Sequence, residues 1–135
     1  MMTIKYLLAV PLGLALSACS STPQDLETKS APTVQTYTEN YQGIFRRVST
    51  TAKRCEAGNI NATASMAVDA QLYSELGYGE ISRSLINYGA RNYYWNAKIE
   101  RSGTGSKMTV TAGNTINNQS MINNVARWAA GDQNC

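Results

Sequence analysis

The sequence predicts an α+β domain, a two-layer sandwich with an N-terminal and a C-terminal helix packed on one face of an antiparallel sheet of three to four strands. Apolar residues recur at every third or fourth position over 37–55 and again over 115–130, which is the spacing of amphipathic helices. Between these segments apolar and polar residues alternate, as they do in half-buried strands. Strands in the middle of the chain with a helix at either end favour helices gathered on one face of a sheet.

The first helix is predicted over residues 37–55. Thr36 or Thr38 is placed to cap its start, and Gly58 follows closely after its end. Basic residues fall largely away from its apolar stripe, and these are Arg46, Arg47, Lys53 and Arg54. They indicate either a solvated face or a surface for anionic lipid headgroups or the carboxylates of peptidoglycan.

Strands are predicted wherever polar and apolar residues alternate with period two. In the strongest such segment, Tyr93 and Trp95 are expected on one face and Tyr94 on the other. Turns that contain glycine separate the segments. The predicted strands are 62–73, 80–86 with a less regular pattern, 92–101 and 107–112.

The first eighteen residues are typical of an export signal. Lys5 precedes an apolar run over 6–16, which is too short to span a bilayer core of ~30 Å as a helix. Leu16, the last residue of this run, begins the segment Leu16-Ser17-Ala18-Cys19, which resembles the lipobox of bacterial lipoproteins. That resemblance implies that residues 1–18 are removed and that Cys19 is lipidated, and two or more acyl chains anchor a protein stably.

The resemblance also implies a location and a domain organisation. Ser20 and Ser21 follow Cys19, with no Asp that would resemble an inner-membrane retention signal, so the outer membrane at its periplasmic face is expected. Residues 19–35 are predicted to be the lipidated cysteine and a flexible polar tether. Residues 36–135 are predicted to form a single periplasmic domain.

Two cysteines remain after Cys19, and in an oxidising compartment Cys55 and Cys135 are predicted to form a disulfide. Two free thiols, or a mixed disulfide with a partner, are the alternatives. Four meandering strands with helices aligned to them would place the two helix ends at opposite sheet edges, beyond the ~7 Å that bridged Cα atoms allow. We therefore keep the bridge and place in doubt the strand at 80–86 or the direction of a helix.

Composition argues against several kinds of chemistry. The chain has no histidine and no Cys-x-x-Cys pair, so neither a metal site nor a cofactor is expected. The net charge of +3 is too small to indicate nucleic acid as a partner. Glu75 and Glu80 flank a glycine-rich loop and are the pair of carboxylates that a glycan hydrolase would need, although a polar hairpin loop explains them as well.

Aromatic residues with polar tips indicate a possible binding surface, because eight Tyr and two Trp outnumber a single Phe. The candidate residues are Tyr73, Tyr78, Tyr88 and Tyr94, together with Arg46 and Arg47. The region after Cys19 resembles short envelope lipoproteins of Gram-negative bacteria in three segments, Lys53-Arg54-Cys55, Gln71-Leu72-Tyr73 and Tyr94-Trp95. That resemblance implies no activity.

Two hypotheses of function follow from these observations. The first is a non-enzymatic lipoprotein, held to the membrane by its N-terminal lipid, that binds an envelope protein or peptidoglycan or has a structural role. The alternative is a small enzyme that acts on peptidoglycan or other glycans through Glu75 and Glu80.

Overall fold

An antiparallel sheet of six strands forms one layer of the fold in the computed structural model, which describes residues 21–135. The strands lie in the order β1-β6-β5-β4-β3-β2, so β2 to β6 form a meander and β1 joins it beside β6. β1 and β2 are therefore the two edges of the sheet. The strands are β1 Thr33–Tyr37, β2 Gly58–Asn59, β3 Ala64–Tyr73, β4 Tyr78–Asn87, β5 Ala90–Ser102 and β6 Gly105–Ala112.

Two helices cover one face of this sheet, α1 Tyr41–Glu56 and α2 Asn118–Ala129. α1 lies mainly over β3 and β4, α2 lies over β5 and β6, and the two helices contact each other. Apolar side chains fill the space between the layers, and the largest of them are Trp95 from the sheet and Trp128 from α2. Removing this area from water is the main term that stabilises the domain. The two-layer α+β class predicted from the sequence is confirmed.

The number of strands was predicted wrongly, since six are present where three to four were expected. β1 falls in the segment predicted as the end of the tether and the start of the first helix, but it pairs along its length with β6. β2 has two residues, which is too short for an alternating pattern. The strand over 80–86, placed in doubt by the disulfide, is present and forms the middle of β4.

The first helix begins later than the apolar stripe predicts. Asn40, rather than Thr36 or Thr38, caps α1, because its side chain accepts a hydrogen bond of 2.8 Å from the backbone N–H of Gln42. Thr36 and Tyr37 pair with β6 as part of β1, so they cannot enter the helix.

The described chain is ordered against the sheet from its first residues, whereas the sequence predicts a tether over 19–35. The backbone N–H of Ser21 donates to the carbonyl of Arg91 at 2.9 Å, and the Ser21 hydroxyl accepts from the N–H of Tyr93 at 2.7 Å. A short 3-10 helix, Pro23–Thr28, then packs on β5 and β6 and buries Leu26 completely. The predicted signal over 1–18 and the predicted lipidation site Cys19 lie outside the described residues.

Cys55 and Cys135 form the predicted disulfide, with their Cα atoms 5.3 Å apart. The expected conflict between this bridge and four central strands does not arise, because α1 and α2 lie side by side rather than at opposite edges. The bridge joins the last turn of α1 to the C-terminal residue across a sequence separation of 80.

The tail after α2 reaches Cys55 by turning back along α1. Arg47, in the middle of α1, donates to the carbonyl oxygen of Ala129 at 2.5 Å, which places the end of α2 there. Gly131 then has a φ of +107°, in the region that favours glycine. Further along the tail, Arg54 donates to the carbonyl oxygen of Gln133, one residue before the bridge in α1. Within residues 21–135, no helix is long and apolar enough to cross a membrane.

Candidate functional site

The hairpin between β3 and β4 carries the best candidate for a binding site. The turn is closed by a hydrogen bond of 3.0 Å from the N–H of Leu76 to the carbonyl of Tyr73, and Gly77 adopts a φ of +76°. The turn is also held from outside, because the N–H of Arg101 in β5 donates to the carbonyl of Gly77 at 2.9 Å. A turn that is held both by its own hydrogen bond and by a bond from β5 can present side chains in a defined geometry.

Two of the predicted tyrosines meet on this hairpin. Tyr73 and Tyr78 are directly paired across β3 and β4, and their ring centroids lie 4.9 Å apart. The Lys98 ammonium lies 4.8 Å from the centroid of the Tyr78 ring, on the face of the sheet opposite the helices. Paired aromatic rings of this kind offer a rigid contact area that costs little conformational entropy when a partner binds.

Two leucines of the same hairpin add exposed apolar area beside the aromatic pair. Leu76 is 70% exposed at the tip of the turn, and Leu72 is also exposed, on the helix side of the sheet where it pairs with Gly79. A shallow pocket of about 250 Å³ lies between them, lined by Leu72, Tyr73, Ser74, Glu75 and Leu76. We call this patch the hairpin surface, and its residues are Leu72, Tyr73, Leu76 and Tyr78.

Helix α1 supports the hairpin surface from beneath. A Cβ atom on Gly79 would lie 2.5 Å from Cδ2 of Phe45, so only glycine allows the Phe45 ring to pack against β4 at this point. Tyr41, at the start of α1, donates from its hydroxyl to the carbonyl of Ser74 at 3.3 Å. The glycine that the sequence marks as part of a loop therefore serves close packing between helix and strand.

The other two predicted tyrosines lie elsewhere. Tyr88 is in the β4–β5 turn, at the opposite end of the sheet from the hairpin surface. Tyr94 lies at a β-bulge, because Arg83 faces Trp95 and the next residue of β4 faces Tyr93. The Arg83 guanidinium lies 5.6 Å from the centroid of the Tyr94 ring, on the helix side of the sheet. Tyr94 is therefore not on the outer face that strict alternation predicts.

Of the two arginines predicted to form a binding surface, one has a structural role and the other is exposed to solvent. Arg47 forms an ion pair with Glu39 at 2.6 Å and also donates to the end of α2, so it fastens two elements together. Arg46 is exposed and lines a groove of about 220 Å³ between α1 and the C-terminal tail. These two arginines do not adjoin the tyrosine pair.

A cluster of polar side chains between the layers was missed by the sequence analysis. Glu56 accepts a hydrogen bond of 2.9 Å from the indole N–H of Trp95 and lies 3.6 Å from Arg83. Burial raises the pKa of Glu56 above its usual value, and the nearby Arg83 and the Trp95 hydrogen bond only partly offset that effect. The sequence does contain a signal for this cluster. Arg83 is a charged residue two positions after Ile81, and it therefore falls on the apolar face of β4.

The carboxylates proposed for catalysis do not form a pair. Glu75 lines the pocket of the hairpin surface, whereas Glu80 lies on the outer face of β4 and lines different pockets beside Asn96. Over residues 21–135 there is no group of three or more His, Cys, Asp or Glu side chains that could hold a metal ion. Nothing in the described part of the chain indicates catalysis.

Comparison with known proteins adds no assignment. No family model matches the sequence, and no similar chain was found among curated proteins or among solved structures. No enzyme family is therefore indicated for this chain.

Proposed function

We propose that the chain is an outer-membrane lipoprotein with a non-enzymatic role, anchored through an acylated Cys19, whose periplasmic domain binds an envelope protein through the hairpin surface. The lipobox resemblance of Leu16-Ser17-Ala18-Cys19 supports the anchor. A disulfide that closes the C-terminal tail suits an oxidising compartment such as the periplasm.

The observation that carries the binding role is the exposed apolar patch at the hairpin. Leu76 and the paired rings of Tyr73 and Tyr78 are side chains that contribute most when they are desolvated at an interface. The exposed leucines favour a protein partner over the sugars of peptidoglycan, because they offer apolar area without hydrogen-bonding groups. The patch is small, and so the interface is expected to be of the weak or transient class.

Site-specific photo-crosslinking in cells tests this role. A photoreactive amino acid at position 76 is expected to give an adduct of discrete mass with an envelope protein. The matched control is position 119, since Gln119 is exposed on α2, on the other layer of the fold. Equal labelling from both positions, or labelling of peptidoglycan alone from position 76, would contradict the proposal.

A polar substitution tests the same surface without a crosslinker. Leu76→Ser lies in an exposed turn and should leave the fold intact, yet it should weaken the adduct formed from position 73 by at least about fivefold, as truncation of an interface anchor by 1–2 kcal/mol requires. Gln119→Ser is the control and should leave that adduct unchanged.

A further inference from the structure

The described chain begins at one end of the sheet. Ser21 is held there by two hydrogen bonds to the first residues of β5, to Arg91 at 2.9 Å and to Tyr93 at 2.7 Å. Two residues of fully extended chain span at most about 7 Å. An acylated Cys19 would therefore bring Ser21, and with it this end of the sheet, to within about 7 Å of the membrane anchor.

Three loops lie at the same end as Ser21. The loop after β2 is joined to the β4–β5 turn, because the N–H of Tyr88 donates to the carbonyl of Thr63 at 3.1 Å. The loop after β6 is joined to the start of β5, because the Asn114 amide donates to the carbonyl of Tyr93 at 2.7 Å. These three loops, over 60–63, 88–89 and 113–117, form what we call the entry end of the domain.

Each loop of the entry end exposes one large apolar side chain. Ile60 is 58% exposed, Tyr88 is 83% exposed and Ile116 is fully exposed. The remaining residues of these loops are Asn, Thr, Ala and Gly, and none of the three ranges contains a charged residue. At the opposite end of the sheet, by contrast, Glu75 lies in the hairpin turn and Glu39 lies beside the start of α1.

Tyr88 also occupies a backbone conformation that favours other residues. It has a φ of +48° and is followed by Gly89 with a φ of +80°, so both central residues of this turn are left-handed. Asn and Asp are preferred to a bulky aromatic at the first of these positions. The ring of Tyr88 has no packing role that would explain its presence, since it is almost entirely in solvent.

We infer that the entry end docks on the lipid bilayer, with Ile60, Tyr88 and Ile116 inserted among the headgroups. The inference rests on the proposed acylation of Cys19, which places these loops at the membrane surface. Tyrosine is favoured at the interface between headgroups and acyl chains, and the loops themselves carry no ion to desolvate. The Lys29 ammonium, which donates to Asn114 in the third loop, lies at the same end and suits anionic headgroups. β3 and β4, ten residues each, then hold the hairpin surface roughly 30 Å from the membrane, at about 3.3 Å per residue.

Quenching by brominated lipid measures this orientation on the full acylated protein. Tyr88→Trp and Leu76→Trp each add one fluorophore, one at the entry end and one on the hairpin surface. Both are reconstituted in vesicles of phosphatidylethanolamine and phosphatidylglycerol with brominated acyl chains, and the signal of the unsubstituted protein is subtracted. The added fluorescence of Tyr88→Trp should be quenched at least about threefold more than that of Leu76→Trp, as expected for a ring at the acyl boundary.

A second variant separates docking from anchoring. Ile60→Ser with Ile116→Ser, in the Tyr88→Trp background, should lower that quenching at least about twofold, because two of the three inserted side chains are gone. Equal quenching at the two fluorophores, in protein whose acylation is established by mass spectrometry, would overturn the docking inference alone. Protein that carries no acyl chain would instead overturn the proposed function.

Discussion

At the scale of single residues, the most informative group is the partly buried carboxylate of Glu56. Its oxygens lie 2.9 Å from the Trp95 indole nitrogen and 3.6 Å from an Arg83 nitrogen. Burial is the larger effect on this group and raises its pKa, so the ionised form is disfavoured in the folded state. Removing Arg83 would leave that carboxylate without its cation, whereas neutralising Glu56 would relieve the cost of burying its charge.

The raised pKa of Glu56 predicts a particular dependence of stability on pH. Because the folded state binds the proton more tightly than the unfolded state, the contribution of Glu56 is most favourable below its unfolded pKa and is lost as the pH rises through the raised folded pKa. The substitution Glu56→Gln keeps an oxygen that can accept from Trp95 and removes the titration. The unfolding free energy of the natural protein should therefore fall relative to Glu56→Gln as the pH rises from 4 towards neutrality.

Urea unfolding at several pH values measures this difference. Glu27→Gln is the control, since Glu27 is exposed on the short 3-10 helix. Carboxylates whose pKa is lowered by hydrogen bonds, such as Asp25 and Asp132, titrate alike in all three proteins and cancel. A difference that stays constant with pH, or that changes in the opposite direction, would contradict the raised pKa of Glu56.

At the scale of secondary structure, periodicity predicts the elements that have one face in the core. The strands predicted over 62–73 and 92–101 correspond closely to β3 and β5, and the helix predicted over 115–130 corresponds to α2. Strict alternation failed at Tyr94, because a β-bulge inserts one residue and reverses the faces that precede it. Nothing in the residue pattern marks that insertion.

Periodicity also fails to predict the edge strands, but for a different physical reason. β1 is held chiefly by backbone hydrogen bonds to β6, and backbone hydrogen bonds are available to any residue type except proline. Its positions alternate between half-buried and exposed, but the apolar Val34 occupies an exposed one, so residue type does not mark the inner face of β1. Part of the candidate site could nevertheless be predicted, since Tyr73 and Tyr78 were both among the tyrosines predicted to form a binding surface.

A glycine in β6 tests whether β1 is an integral part of the sheet. A Cβ atom on Gly105 would lie 2.0 Å from the carbonyl oxygen of Tyr37, at the end of β1. Because that oxygen belongs to the backbone, relieving the clash would require the strand itself to move. Gly105→Ala should lower the unfolding free energy by about 1–3 kcal/mol, as overpacking does. Gly103→Ala is an imperfect match because of its φ of +57°, so Gly43→Ala in α1 is the control, with nothing nearer than 4.0 Å.

Hydrogen exchange of the β1 amides localises the effect. Faster exchange over 33–37 is expected in Gly105→Ala and not in Gly43→Ala. If Gly105→Ala is as stable as the natural protein, β1 does not pair with β6 as described.

At the scale of the whole molecule, the disulfide joins the end of α1 to the tail that follows α2. It closes a loop with a sequence separation of 80, which in the chain-entropy model corresponds to an upper estimate of about 4–4.5 kcal/mol. The tail has other attachments as well, including the indole N–H of Trp128, which donates to the carbonyl of Asn134 at 3.1 Å. The fold should therefore survive reduction, but with a smaller margin of stability.

Loss of the bridge is expected to lower the melting temperature by about 10–20 °C for a domain of this size, with little change in secondary structure. Circular dichroism of the Cys55→Ser, Cys135→Ser double variant measures the shift without a reductant. Gel analysis of the natural protein before and after reduction provides the control for bridge formation. A melting temperature that is unchanged in the double variant would show that the bridge does not constrain this domain.

Acylation of Cys19 is the central claim about the whole molecule, since both the location and the docking of the entry end depend on it. Intact mass spectrometry of the protein purified from membranes, followed by sequencing of its N-terminal peptide, tests it most directly. The expected product is a chain that begins at Cys19 and carries a thioether-linked diacylglycerol with further acylation of the amine, and Cys19→Ala should leave the outer-membrane fraction. An N-terminal peptide with an unmodified Cys19, or one that retains residues 1–18, would contradict it.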